Sequence, residues 1–133
     1  RDYYASRGLG DVYKRQPHQD AVFNASRTAL YVGALMSGNY QYLNAALEDR
    51  LHQPYRIPLI TGTEAVFEAA KANGAYGAII SGAGSTLMAY ADPEKDCDII
   101  AAAMTDAFEK YGQRSTAHIL KLDFNGAREK EHS

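Results

Sequence analysis

Two strand-length apolar runs joined by six small residues set the strongest constraint on how this chain can fold. The runs are Ala75-Tyr76-Gly77-Ala78-Ile79-Ile80 and Leu87-Met88-Ala89-Tyr90-Ala91, and Ser81-Gly82-Ala83-Gly84-Ser85-Thr86 lies between them. Each run is bounded by turn residues, so the stretch reads as a β-hairpin. Gly82 and Gly84 open backbone angles that other residues avoid, and let a ligand approach the main chain. Successive N–H groups in such a loop form a concavity suited to an anion, and Ser81, Ser85 and Thr86 add hydroxyls. From the pattern alone, an ordinary tight hairpin and a phosphate-type loop have comparable claims. The better-known glycine signatures fail. Leu87 stands where a dinucleotide fingerprint needs its third glycine, no lysine closes a Walker loop, and Ala83 replaces the serine of a hydrolase elbow.

Around this hairpin the chain reads mainly as helix. A helix is expected from Pro17 to about Ser37, with Asp20 in its first turn and an apolar stripe through Val22, Ala25, Ala29, Val32 and Met36. Phe23, Leu30 and Ala34 flank the stripe, and Gly38-Asn39 stops the helix. A second helix is expected over Tyr40–Leu51, before Pro54 and Pro58. Thr61 and Glu64 have capping-box spacing for a third, which carries Val66, Phe67, Ala69 and Ala70 and ends at Gly74. Asp92-Pro93 reads as N-cap and first position of a fourth, with a stripe through Ile100, Ala103, Met104, Ala107, Phe108 and Tyr111. Ser115–Leu122 alternates like a last strand. These elements give an α+β domain, an antiparallel sheet with helices packed on one face.

Residues 1–16 show neither period, and the expectation is a non-native leader. The domain then spans 17–126, and 127–133 forms a charged tail. A net charge of -2 in 133 residues gives no electrostatic case for nucleic acid or an anionic membrane. No apolar stretch approaches the roughly 20 residues of a membrane span. Cys97 is the single cysteine, which excludes an internal disulfide and fits a cytoplasmic location. The four histidines are scattered, so no metal site is expected. An open sheet edge would invite self-association, which keeps a homodimer among the expected states.

The second informative stretch is Glu48-Asp49-Arg50-Leu51-His52-Gln53-Pro54-Tyr55-Arg56. A planar guanidinium suits a carboxylate through two parallel hydrogen bonds. Arg56, between two prolines, is therefore a candidate ligand contact, and an ion pair with Glu48 or Asp49 is the competing reading. His52 reads first as a histidine at a helix C-terminus. Asp49-Arg50 reads as a solvated or locally paired set. Asn24 and Arg27 share a less apolar side of the first helix, where they either line a pocket or face water.

Three stretches together, Asp20 to Arg27, Glu48 to Arg56 and Ser81 to Thr86, resemble in order and spacing the bacterial homoserine kinases, and the glycine loop resembles the third motif of the wider GHMP kinase superfamily. The resemblance covers about residues 17–126. It implies the C-terminal domain of a two-domain kinase, with a ferredoxin-like arrangement whose first strand precedes Pro17. It further implies ATP-dependent phosphorylation of the L-homoserine hydroxyl in threonine biosynthesis. ATP and Mg2+ would be held mainly by an N-terminal phosphate loop, a Gly-Leu-Gly-Ser-Ser motif absent from this sequence, so the chain alone would be inactive. Arg56 would hold the amino-acid carboxylate, with His52 and Asn24 as further substrate-binding residues. Ser81, Gly82, Ala83, Gly84, Ser85 and Thr86 would border the phosphate and substrate. No catalytic base is implied in this part of the enzyme. The family usually has proline where this chain has Ser85, a change that loosens the loop. The alternatives are a GHMP kinase for another small alcohol, and a non-catalytic α+β ligand-binding module.

Overall fold

The computed structural model describes residues 16–123, 125 and 126. The expected leader, apart from Gln16, and the charged tail lie outside the described residues. Five α-helices and a two-stranded antiparallel sheet follow one another as α1 (His18–Ser37), α2 (Leu43–Ala46), α3 (Gln53–Arg56), α4 (Thr63–Ala72), β1 (Gly77–Ile80), β2 (Leu87–Tyr90) and α5 (Cys97–Lys110). Short 3-10 turns at Tyr40–Tyr42 and Ile57–Leu59 precede α2 and follow α3. The class is α+β, as expected.

The hairpin forms where the sequence puts it, with Gly77 opposite Tyr90 and Ile80 opposite Leu87. α4 packs against α5, β1 and β2, and α2 packs against β1. Leu43, Ala46, Val66, Ala70, Ile80, Ile100 and Ala107 form the buried centre. Gly77 suits this packing, because a Cβ there would lie 2.7 Å from Leu47 Cδ1 and displace the end of that side chain.

α1 packs on a different face from the expected one. Its most apolar stripe faces outward, with Val22 55% and Met36 83% exposed. Phe23, Asn24, Arg27, Leu30, Tyr31 and Ala34 turn inward instead. Specific partners outweigh bulk hydrophobicity here. Arg27 pairs with Glu48 at 2.9 Å, and the Tyr31 and Tyr90 hydroxyls meet at 3.0 Å. The guanidiniums of Arg27 and Arg50 lie 4.3 and 3.8 Å from the Phe23 ring centre.

Four other expectations are corrected. The helix expected over Tyr40–Leu51 is a 3-10 turn and one α-turn, because Asp49 draws the following amides onto its side chain and turns the chain away. Thr61 does not cap α4: Gly62 takes the N-cap position at φ 90°, and Thr63 bonds back to Ile60 O at 2.6 Å. Asp92 is not the cap of α5, since Asp96 accepts from the amides of Asp98 and Ile99. Residues 115–122 form no strand and are exposed, with Leu120 at 85%. Alternation supplies a strand's pattern, but a strand exists only where another pairs with it.

Candidate functional site

Arg56 is the last residue of α3 and is 5% exposed, an unusual position for a guanidinium. It donates through Nη2 to the carbonyl oxygen of Ala83, in the glycine loop. Its Nε is buried without a hydrogen-bond partner, and no carboxylate among the described residues pairs with it. The competing reading as a surface ion pair therefore fails. Glu48 is taken by Arg27, and Asp49 is taken by backbone amides.

His52 meets the same loop. Its Nε2 lies 2.8 Å from the carbonyl oxygen of Gly82. It precedes α3 rather than ending a helix, so the expected dipole role is replaced by a loop contact. A guanidinium and an imidazole thus converge on adjacent carbonyl groups.

The loop itself is closed by Ser81 N to Thr86 O at 2.8 Å and Gly84 N to Ser81 O at 3.1 Å. The amides of Gly82, Ala83, Ser85 and Thr86 have no partner among the described residues. All six loop residues are exposed. Gly82 and Gly84 adopt φ of 56° and 80°, the region that favours glycine. At Gly84 an added Cβ would also strike Ile60 Cδ1 at 2.5 Å.

Behind this constellation stands a network that joins Asn24, expected among the substrate-binding residues, to Asp49, expected as solvated or locally paired. Asp49 Oδ1 accepts from Asn24 Nδ2 at 2.6 Å, Leu51 N at 2.7 Å and His52 N at 3.1 Å. Its Oδ2 accepts from His52 N at 3.1 Å and Gln53 N at 2.7 Å. Burial alone would raise this carboxyl, but the hydrogen bonds from Asn24, Gln53, Leu51 and His52 outweigh it and hold the group below its ordinary value. Asn24 spends its other amide atom on Arg50 N, at 2.9 Å. Asn24 thus neither faces water unpaired nor joins Arg56 at the loop. The only forewarning in the sequence was an aspartate two to four residues ahead of amides at a helix start, a habitual Asx pattern.

A pocket of about 270 Å³ adjoins the segment, lined in part by Asp49, Gln53, Ile57, Phe67 and Lys71. Arg56, His52 and the loop lie outside its lining. Among the described residues no three His, Cys, Asp or Glu side chains gather to hold a metal, and no helix is long and apolar enough to cross a membrane.

Residues 16–110 match the family model for the GHMP kinases C-terminal domain. The chain is 50% identical over 106 residues to a homoserine kinase of Picosynechococcus sp., covering 80% of this chain and 34% of that protein. It is 46% identical over 123 residues to a homoserine kinase of Trichormus variabilis, covering 92% and 39%. The crystal structure of homoserine kinase from Cytophaga hutchinsonii shares the fold at a TM-score of 0.72 and 24% identity, over 83% of this chain and 34% of that one. The chain thus spans little more than a third of the length of the relatives it matches. With two thirds of its residues under the family model and the glycine loop in place, this chain belongs to the GHMP kinase family through its C-terminal domain.

Proposed function

We propose that this chain is the substrate-binding C-terminal part of a homoserine kinase, an enzyme that transfers a phosphoryl group from ATP to the side-chain hydroxyl of L-homoserine. One observation carries the reading: the buried Arg56 guanidinium, which has no counter-ion and an unpartnered Nε among the described residues, beside a loop whose amides include four without a partner there. A buried cation is costly unless an anion pairs with it. An amino-acid carboxylate supplies two oxygens for the Nε edge of the guanidinium. The similarity to homoserine kinases supports the same substrate.

Under this reading Arg56 fixes the substrate's carboxylate, and His52 steadies the loop through Gly82. The unpartnered amides and hydroxyls of Ser81–Thr86 border the phosphate. Phosphoryl transfer depends chiefly on positioning and on stabilising charge, which these groups supply without a base of their own. Bound Mg2+ would neutralise phosphate charge; among the described residues no carboxylate is bonded to the Arg56 side chain or the loop, so the metal would be held mainly by the N-terminal part of the enzyme. The enzyme works in the cytoplasm on small-molecule substrates.

Two measurements test this. In a coupled ADP-release assay with ATP, magnesium and homoserine, the 133-residue chain alone gives no turnover. In the full-length enzyme carrying this domain, Arg56→Ala raises the homoserine KM by roughly tenfold to a hundredfold, the worth of a hydrogen-bonded charge. Homoserinol, which lacks the carboxylate, binds wild type and variant equally. An unchanged homoserine KM in Arg56→Ala would remove Arg56 from the substrate site.

A further inference from the structure

The segment that carries His52 and Arg56 has little regular structure to hold it. Between Ala46 and Thr63 stand one four-residue helix and one 3-10 turn. Yet the two side chains must meet the carbonyl groups of Gly82 and Ala83, about thirty positions further along. Asp49 and Gln53 close this gap. The Asp49 carboxylate gathers the amides of Leu51, His52 and Gln53 and is itself tied to α1 by Asn24. Gln53 then uses both ends of its amide. Its Nε2 donates to Leu47 O at 3.2 Å, and its Oε1 accepts from Ile80 N at 2.9 Å. Ile80 is the last residue of β1, one step before the loop. Two consecutive clamps therefore run from α1 through the 49–53 turn to the root of the glycine loop.

We infer that Asp49 and Gln53 are positioning residues for homoserine binding: they set the spacing between Arg56 and the loop, and neither needs to touch the substrate. The inference rests on the kinase reading above. Loss of either clamp lets Arg56 and the loop drift apart, and misplacement by about 1 Å costs up to roughly a hundredfold where geometry is strict.

The test uses the full-length enzyme carrying this domain, assayed well below its unfolding midpoint. Asp49→Asn keeps shape but replaces one acceptor oxygen with a donor. Gln53→Leu removes both clamping atoms, and Gln53→Glu retains the acceptor for Ile80 N. Asp49→Asn and Gln53→Leu raise the homoserine KM about tenfold and leave the KM for ATP unchanged. Gln53→Glu recovers part of the loss. A purely structural role would lower the midpoint of folded, soluble variants without moving the homoserine KM, and that result overturns the inference. Should Gln53→Leu fail to fold, Asp49→Asn decides the question by the same readout. Arg56→Ala run in parallel separates the two ideas. An elevated KM there with unchanged values in folded Asp49→Asn and Gln53→Leu rejects the clamps alone, whereas an unchanged KM in Arg56→Ala rejects the site and the clamps together.

Discussion

The guanidinium of Arg56 and the carbonyl of Ala83 meet across 27 positions of sequence, and this contact, beside that of His52 with Gly82, joins the α3 segment to the glycine loop. It satisfies only part of a buried cation. A charge held this way favours binding an anion over stability of the empty protein. Arg56→Met should therefore raise the unfolding free energy of the chain by about 1 kcal/mol, since similar apolar volume replaces an unpaired charge. Urea unfolding of the two proteins measures it. A variant less stable than wild type would show that the charge is compensated within the fold.

The two loop glycines should differ in their tolerance of a side chain. Gly82 at φ 56° faces open space, so Gly82→Ala pays only for the left-handed backbone, about 1–2 kcal/mol. Gly84 at φ 80° adds a contact of 2.5 Å to Ile60 Cδ1 and one of 3.3 Å to Ile80 Cγ2. Gly84→Ala should cost a further 1–3 kcal/mol or so. Ile60→Val, which removes the obstructing methyl, should recover part of that in the double variant. Thermal unfolding of the four proteins checks the order.

Core and surface separate sharply along the first half of the chain. Leu43 is 2% exposed, so Leu43→Ala should cost about 2–5 kcal/mol. Met36, on the expected α1 stripe, is exposed, and Met36→Ala should stay within about 0.5 kcal/mol of wild type. Chemical denaturation of Met36→Ala tests whether that face of α1 packs, and that of Leu43→Ala tests the core under α2.

Asp96→Ala should cost about 1 kcal/mol and shorten α5, because it removes the acceptor for the amides of Asp98 and Ile99. Asp92→Ala should leave α5 intact. Its carboxylate serves Glu94 N at 2.9 Å and the Tyr76 hydroxyl at 3.0 Å instead. Helix content by circular dichroism distinguishes the two.

Asp49 sets a pH signature. Its folded carboxyl ionises below the ordinary Asp value, so the unfolded chain takes up a proton first as the solution is acidified. Its contribution is complete above about pH 4 and is lost as pH falls through the folded value. Asp49→Asn should flatten that part of the stability profile below about pH 4 while leaving the neutral range parallel to wild type. Unfolding free energies measured across this range give the comparison.

The hairpin, the ends of α1 at Gly38 and of α5 near Gly112, and the two stretches of the candidate site were legible because each rests on local chemistry: turn glycines, helix periodicity, a charged run between prolines. What escaped is nonlocal. Which face of α1 packs depends on Glu48, Asp49 and Tyr90, all distant in sequence. The 40–51 stretch has helical spacing, yet Asp49 finds better donors by leaving the helix. Residues 115–122 carry the right alternation, but among the described residues no strand pairs with them. The site followed the same division. The residue types at Arg56 and the loop stood out as candidates, whereas the bonds of Asp49 to Asn24 and of Gln53 to Ile80 depend on where α1 and β1 lie.

The Tyr31–Tyr90 hydroxyl pair carries a practical consequence. The chain has no tryptophan, so its near-ultraviolet absorbance comes from its ten tyrosines. Burial, and then the bond to Tyr31, pushes the Tyr90 phenol well above its ordinary value. Alkaline titration thus leaves Tyr90 as a late, dark chromophore while α1 stays seated on β2, and its early appearance as phenolate is an optical alarm that the helix has lifted.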